Sequence, residues 1–192
     1  MLITAVVLAA GGSSRLGSPK QLISYQGEKL ITRAILNAVE AGVEQVVVVL
    51  GSNAEAIKRA VPDDPDVHVV INADWESGLA SSLAAGLGRV DTRSDGVLVL
   101  VTDQPLVDAA ALQDLVSRFD YGHRVIASSY GTTVGVPAVF GKEFFSELSS
   151  IEGDKGAGHW LRKNIVRVTL VALDTAELDI DTPDDVKRLE EH

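Results

Sequence analysis

The sequence predicts a three-layer α/β/α sandwich built on a mostly parallel sheet. Three observations carry this prediction. Short Val/Ile/Leu runs recur along the 192 residues, helical patterns separate nearly all of them, and the runs end in small or polar residues. Strands apolar on both faces are buried on both faces, as in parallel sheets covered by crossover helices. The βαβ alternation implies right-handed crossovers, and ligands of such sheets bind beyond the carboxyl ends of the strands.

The predicted strands are residues 4–8, 45–50, 67–71, 96–101, 124–128 and 166–173. The predicted helices are residues 30–41, stopped by Gly42, residues 54–60, stopped near Pro62, and residues 79–87 and 108–118. A last helix starts after Thr182, with Pro183 at its first position and Asp185 three residues past the cap. Residues 131–158 break the alternation and are expected to form an excursion beside the sheet. There is no repeat, low-complexity segment or linker, so residues 1–192 are expected to form a single domain with a two-sided core.

Composition narrows the function. No apolar run approaches the ~20 residues that cross a bilayer, and no basic start precedes the first apolar segment. With no cysteine there is no disulfide framework, thiolate nucleophile or Cys-ligated zinc, and a cytoplasmic location fits. A formal charge of −10 argues against a nucleic-acid surface. An acidic protein that binds phosphates must concentrate its cations locally and recruit a divalent metal.

The first strand empties into LAAGGSSRLGSPKQL, residues 8–22. Glycines at a strand end offer bare backbone N–H groups that wrap an anion, and Arg15 and Lys20 within five positions suggest a polyphosphate. The alternative is an ordinary glycine-rich connection with solvated cations. Ser18 and Pro19 after Gly17 exclude a Walker A loop, and the glycine spacing excludes the dinucleotide fingerprint.

Asp103 directly follows a buried strand and is held by Pro105; it is placed to bind a metal or else to cap the next turn. Asp181 precedes the last helix cap and is freer than Thr182, Asp184 and Asp185 to point into a site. Two carboxylates from separate strand ends suit Mg²⁺, which takes its other ligands from phosphates and water. Cations on one wall and carboxylates on the other make a phosphoryl or nucleotidyl transfer site. Residues 72–78, with Ser81 and Ser82, offer small polar groups to a base edge; Ser77 alternatively caps the helix, and Trp75 alternatively belongs to the core. Residues 152–160 read as a lid, an acceptor pocket or a plain surface loop. His159 lacks a partner at helical metal-ligand spacing, and no nucleophile elbow is present.

With these residues assembled, nearly the whole chain resembles the MobA-like nucleotidyltransferases, and within them the MocA-like molybdenum cofactor cytidylyltransferases. The resemblance rests on residues 8–22, NADWESGLASSLAAGL (72–87), VTDQP (101–105), GVPAVF (135–140), GDKGA (153–157) and DIDTPDDV (179–186). It implies a Rossmann-like sheet of the nucleotide-diphospho-sugar transferase type. It also implies that Leu8, Ala9, Ala10, Gly11, Gly12 and Ser13 hold the nucleotide's base and phosphates, with Gly78 and Ser82 near the base. Arg15 and Lys20 would bind the triphosphate and act with Asp103 in catalysis, and Asp103 and Asp181 would hold Mg²⁺. CTP would be the donor and a phosphorylated pterin the acceptor, with a molybdenum hydroxylase or its maturation factor as a possible receiver. Ala9-Ala10-Gly11 resembles the cytidylyl branch, since guanylyl enzymes tend to have Gly in place of Ala10. The chain departs from the family after GDKGA, where members often carry Arg and this sequence has Gly158 and His159. Guanylyl transfer, sugar- or methylerythritol-phosphate nucleotidylyl transfer, and a non-catalytic nucleotide-binding chaperone remain as alternatives.

Overall fold

The computed structural model describes residues 1–119 and 124–192. In chain order the strands are β1 (Ile3–Ala9), β2 (Ser24–Tyr25), β3 (Glu28–Lys29), β4 (Gln45–Leu50), β5 (Val67–Ile71), β6 (Gly96–Val101), β7 (Val125–Tyr130), β8 (Thr133–Gly141) and β9 (Thr169–Ala172). The helices are α1 (Leu30–Glu40), α2 (Ala54–Lys58), α3 (Leu79–Leu87), α4 (Ala109–Ser117), α5 (Phe145–Ser149), α6 (Ala157–Lys163) and α7 (Pro183–Glu190). Strands β2 and β3 form a small separate hairpin. The other seven strands make one sheet in the order β5-β4-β1-β6-β8-β7-β9, parallel except for β8.

Successive side chains of a strand point to opposite faces, so each buried strand feeds two cores. Ile3, Ala5, Val7 and Ala9 join Ile31, Ile35, Leu112 and Leu115 on the α1/α4 face. Val6 and Leu8 join Leu83, Leu87, Phe144 and Trp160 on the α3/α5/α6 face. Helix α3 lies so close to β1 that a Cβ on Gly86 would stand 2.5 Å from a Val6 methyl. A smaller cluster of Leu30, Leu178, Ile180 and Leu189 fastens α7 beside α1. The cap of α7 is as predicted: Thr182 and Asp185 form a reciprocal capping box, with Pro183 in the first turn.

Two expectations are corrected. The first part of residues 131–158 is no excursion, because β8 runs antiparallel through the sheet between β6 and β7; residues 142–158 do leave the sheet. Pro137 and Gly135 disguise β8, since proline cannot donate to a ladder. The register breaks between Ala127 and Ser128, and Val136 and Pro137 fall in the irregularity. The last strand is also shorter than predicted: residues 165–167 form a 3-10 turn, with Val166 94% exposed, and only Thr169–Ala172 is paired.

The strand order reverses direction at β1. From β1 the chain builds outward through β4 to β5, then returns to place β6 on the other side of β1. The carboxyl ends of β1 and β6 therefore lie side by side at this switch point, the usual ligand position in such sheets.

Candidate active site

The glycine-rich loop leaves β1 at Ala10 and doubles back at Ser13. Ser13 takes φ 50, and its carbonyl accepts from the amides of Leu16 and Gly17 at 3.0 and 3.3 Å. Pro19 opens a 3-10 turn over Lys20–Leu22, and Ser13 Oγ accepts from the Lys20 amide at 3.0 Å. Neighbouring side chains on such a turn diverge by about 120°. Lys20 thus faces the crevice and Gln21 faces back. Gln21, 1% exposed, donates from Nε2 to the carbonyls of Ala9 at 2.9 Å and Gly11 at 3.1 Å, bracing the loop from behind. Sequence reasoning assigns Gln21 no role; its signal is its place directly after Lys20 on a tight turn.

The two aspartates meet through the backbone. Ile180 N donates to the Asp103 carbonyl at 2.8 Å, which sets Asp181 beside Asp103, two residues beyond β6. Lys20 Nζ then reaches Asp103 Oδ2 at 2.5 Å and Asp181 Oδ1 at 2.7 Å, while Arg15 Nη2 reaches Asp181 Oδ2 at 2.9 Å. The sequence predicts cations and carboxylates on opposite walls; instead they form one ion network, because unlike charges in a half-sheltered crevice neutralise one another. Burial works to lower the pKa of Lys20, but Asp103 and Asp181 more than offset it and raise it above its usual value. The hydrogen bond from Lys20 holds Asp181 below the usual carboxylate range. Crowding by protein, then the charge of Asp103, pushes Asp179 up to about 7 against the pull of Lys20.

Among the described residues no three Asp, Glu, His or Cys side chains cluster as a metal cage. The pair Asp103 and Asp181 nevertheless suits a hard cation that also takes phosphate and water ligands. Both already reach a single ammonium, and Asp103 Oδ1 is buried without a hydrogen-bond partner, a state polar groups rarely keep. The network also balances two cations with two carboxylates, so a triphosphate entering it must bring positive charge.

The other predicted residues lie nearby with unequal access. Leu8, Ala9 and Ala10 are 7%, 2% and 5% exposed, and only their backbones can meet a ligand. The Ala10 methyl belongs to the core cluster that includes Val47, Val49 and Leu83. Gly11 and Gly12 are exposed; a Cβ on Gly12 would stand 3.2 Å from the Trp75 ring, which also packs over Gly51. Trp75 is thus a half-buried wall behind the loop. Ser82 is 3% exposed, and its Oγ accepts from Asn72 at 3.1 Å, as does Ser81 Oγ at 2.9 Å. Ser77 donates to the Asp74 carbonyl and does not cap α3.

Gly78 takes φ 117, and a Cβ there would stand 2.4 Å from the Gly153 backbone. Ala80 N donates to Gly153 O at 3.1 Å, and Gly156 lies against Leu79. The late loop is therefore fastened to the start of α3. On its other side Gln104, 7% exposed, ties β8 to the approach to Asp179 by donating to Val136 O and Ala176 O at 3.2 and 2.9 Å.

Comparison with known proteins agrees with this geometry. Residues 5–168 match the family described as MobA-like NTP transferase domain. The nicotine blue oxidoreductase of Paenarthrobacter nicotinovorans is 32% identical over 97% of this chain and 96% of that protein. The purine catabolism protein PucB of Bacillus subtilis is 27% identical over 95% and 93%. The structure of Rv0371c from Mycobacterium tuberculosis superposes with a TM-score of 0.86 at 35% identity, covering 100% of this chain and 98% of that one. A manganese complex of Rv0371C gives 0.80 at 33% identity, covering 100% and 99%. A nucleotidyl transferase from Methanothermobacter thermautotroptrophicus gives 0.84 at 25% identity, covering 100% and 97%.

Proposed function

Since the chain belongs to the MobA-like NTP transferase family and is a nucleotidyltransferase, we propose that it moves CMP from CTP to the phosphate of a pterin cofactor of the molybdopterin type. Residues 1–192 would act as one domain in the cytoplasm, and a molybdenum hydroxylase or its maturation factor would receive the product. The observation that carries this reading is the Lys20 ammonium set between Asp103 and Asp181 under a loop of bare amides.

Asp103 and Asp181 would hold Mg²⁺, which supplies charge neutralisation for the triphosphate. The amides of Gly11, Gly12 and Ser13 would hold its phosphates, with Arg15 and Lys20 stabilising charge at the α-phosphate. Gly78 and Ser82 would shape the base side, Ser82 through Asn72. A phosphate oxygen of the acceptor bonds to the α-phosphorus as the bond to pyrophosphate breaks. That oxygen is already anionic, so no protein base is needed, and positioning carries most of the rate. Two observations support a divalent cation: the partnerless Asp103 Oδ1 and the manganese complex of a 33%-identical chain.

The relative named as an oxidoreductase raises hydride transfer as a second reading, but the loop lacks the dinucleotide glycine spacing. The deciding experiment supplies α-labelled CTP or GTP with molybdopterin or sugar phosphates, with Mg²⁺ or with chelator. Label should move from CTP to molybdopterin, and both chelator and Asp103→Asn should abolish most transfer from a folded protein. Preference for GTP assigns the guanylyl alternative. Nucleotide binding without pyrophosphate release for any acceptor assigns the chaperone.

A further inference from the structure

We propose that Arg162 grips the phosphate of the acceptor, reaching it through a gap left by two glycines. The proposal rests on the transferase reading, because the group to be held is that reaction's nucleophile. β8 runs antiparallel to β6, so its first residues lie at the same end of the sheet as Asp103. There α6 crosses it, and a Cβ on Gly158 would stand 3.9 Å from Gly135 Cα. Neither residue has a side chain of its own there, and the Tyr130 hydroxyl takes the Gly135 side, 2.3 Å from where a Cβ would stand. Arg162, one helical turn on, folds its guanidinium back into the gap, with Nη1 3.1 Å from where the Gly158 Cβ would stand.

The orientation is fixed from one side only. Arg162 Nη1 donates to the Val134 carbonyl at 3.1 Å, and the remaining donors of the fork meet no acceptor among the described residues. Arg93, Arg118, Arg124 and Arg167, by contrast, are paired with carboxylates. The Tyr130 hydroxyl links the gap to the ion network, for it accepts from Nε2 of Gln104, the neighbour of Asp103, at 3.4 Å. Arg15 and Lys20 are engaged with the carboxylates, so a second phosphate needs a separate cation. A planar fork with free donors matches two phosphate oxygens at once, which a lysine does not.

Inorganic phosphate serves as the probe, titrated calorimetrically into the full chain, alone and with saturating α,β-methylene CTP and Mg²⁺. The analogue occupies Arg15 and Lys20, so remaining phosphate binding reports the second site. Wild type should keep that binding, and Arg162→Met should weaken it by about 10- to 100-fold, the worth of charged hydrogen bonds. Arg162→Lys should be intermediate. Gly158→Ala, which suits a helix, should weaken phosphate by placing a methyl against the guanidinium. Analogue affinity should stay constant throughout. Equal phosphate binding in wild type and Arg162→Met, or none in wild type, overturns the proposal. If wild type fails to bind the analogue while phosphate still depends on Arg162, the transferase reading falls and the Arg162 site stands.

Discussion

Lys20 has two jobs that pull in different directions. It would stabilise charge on the reacting phosphate, yet it also occupies the carboxylates that would hold the metal. Lys20→Ala should therefore lower kcat by about 10²–10³-fold, the usual cost of losing one electrostatic stabiliser. The same change should tighten Mg²⁺ binding without nucleotide, since the ammonium no longer competes for Asp103 and Asp181. Metal titration by calorimetry beside steady-state kinetics checks both, with the exposed Lys29 and Lys58 as controls. Equal small effects at all three positions would mean that Lys20 does no more than balance charge. The ion network was legible piece by piece: Arg15 and Lys20 as cations in a glycine-rich loop after a strand, Asp103 as an acid just beyond an apolar strand, and Asp181 as the residue before a helix cap. Gln21 and Arg162 were not, because one works through backbone carbonyls and the other through the missing side chains of Gly135 and Gly158.

Among elements, α7 shows how much a cap can declare. Thr182, Pro183 and Asp185 announced its start, and the structure shows the reciprocal bonds. Thr182→Ala should cost about 1 kcal/mol of stability, read as a lower urea midpoint with unchanged slope. A larger effect belongs to the junction of α3 with the late loop. Gly78→Ala forces a methyl into the Gly153 backbone at φ 117, strain of about 1–3 kcal/mol. It should expose residues 152–156 to limited proteolysis; unchanged cleavage would show that the loop is held by other contacts. β8 escaped the sequence reading for the opposite reason to α7. Its Gly and Pro speak of loops locally, and only the neighbouring strands make the segment a strand.

For the molecule as a whole, alternation along the chain gave away the layers, whereas strand order did not follow from it. Nothing in residues 133–141 says that they enter between β6 and β7; that is decided by which edges remain to be paired. Charge is the other global property. The body carries −10, and the crevice network is balanced, so the approaching nucleotide meets net repulsion at long range. Salt shortens that reach to about 8 Å at 0.15 M while sparing close contacts. The association rate of a fluorescent CTP–Mg²⁺ analogue should therefore rise between 10 and 150 mM salt, as measured by stopped flow. A rate that falls over that range would show that local cations dominate the field.

The ion network has one more consequence, in time. Lys20 and Asp181 are 161 residues apart in the chain, and the bond from Ile180 to Asp103 that aligns the carboxylates spans nearly half of that distance. On a ribosome adding about 5–20 residues per second, the lysine waits roughly 10–30 s for its second partner. A nascent chain can complete β1 and β6 in that interval, yet it holds only half of the carboxylate pair. In the proposed function, competence for metal would thus arrive late and in one step, when residue 181 completes the pair.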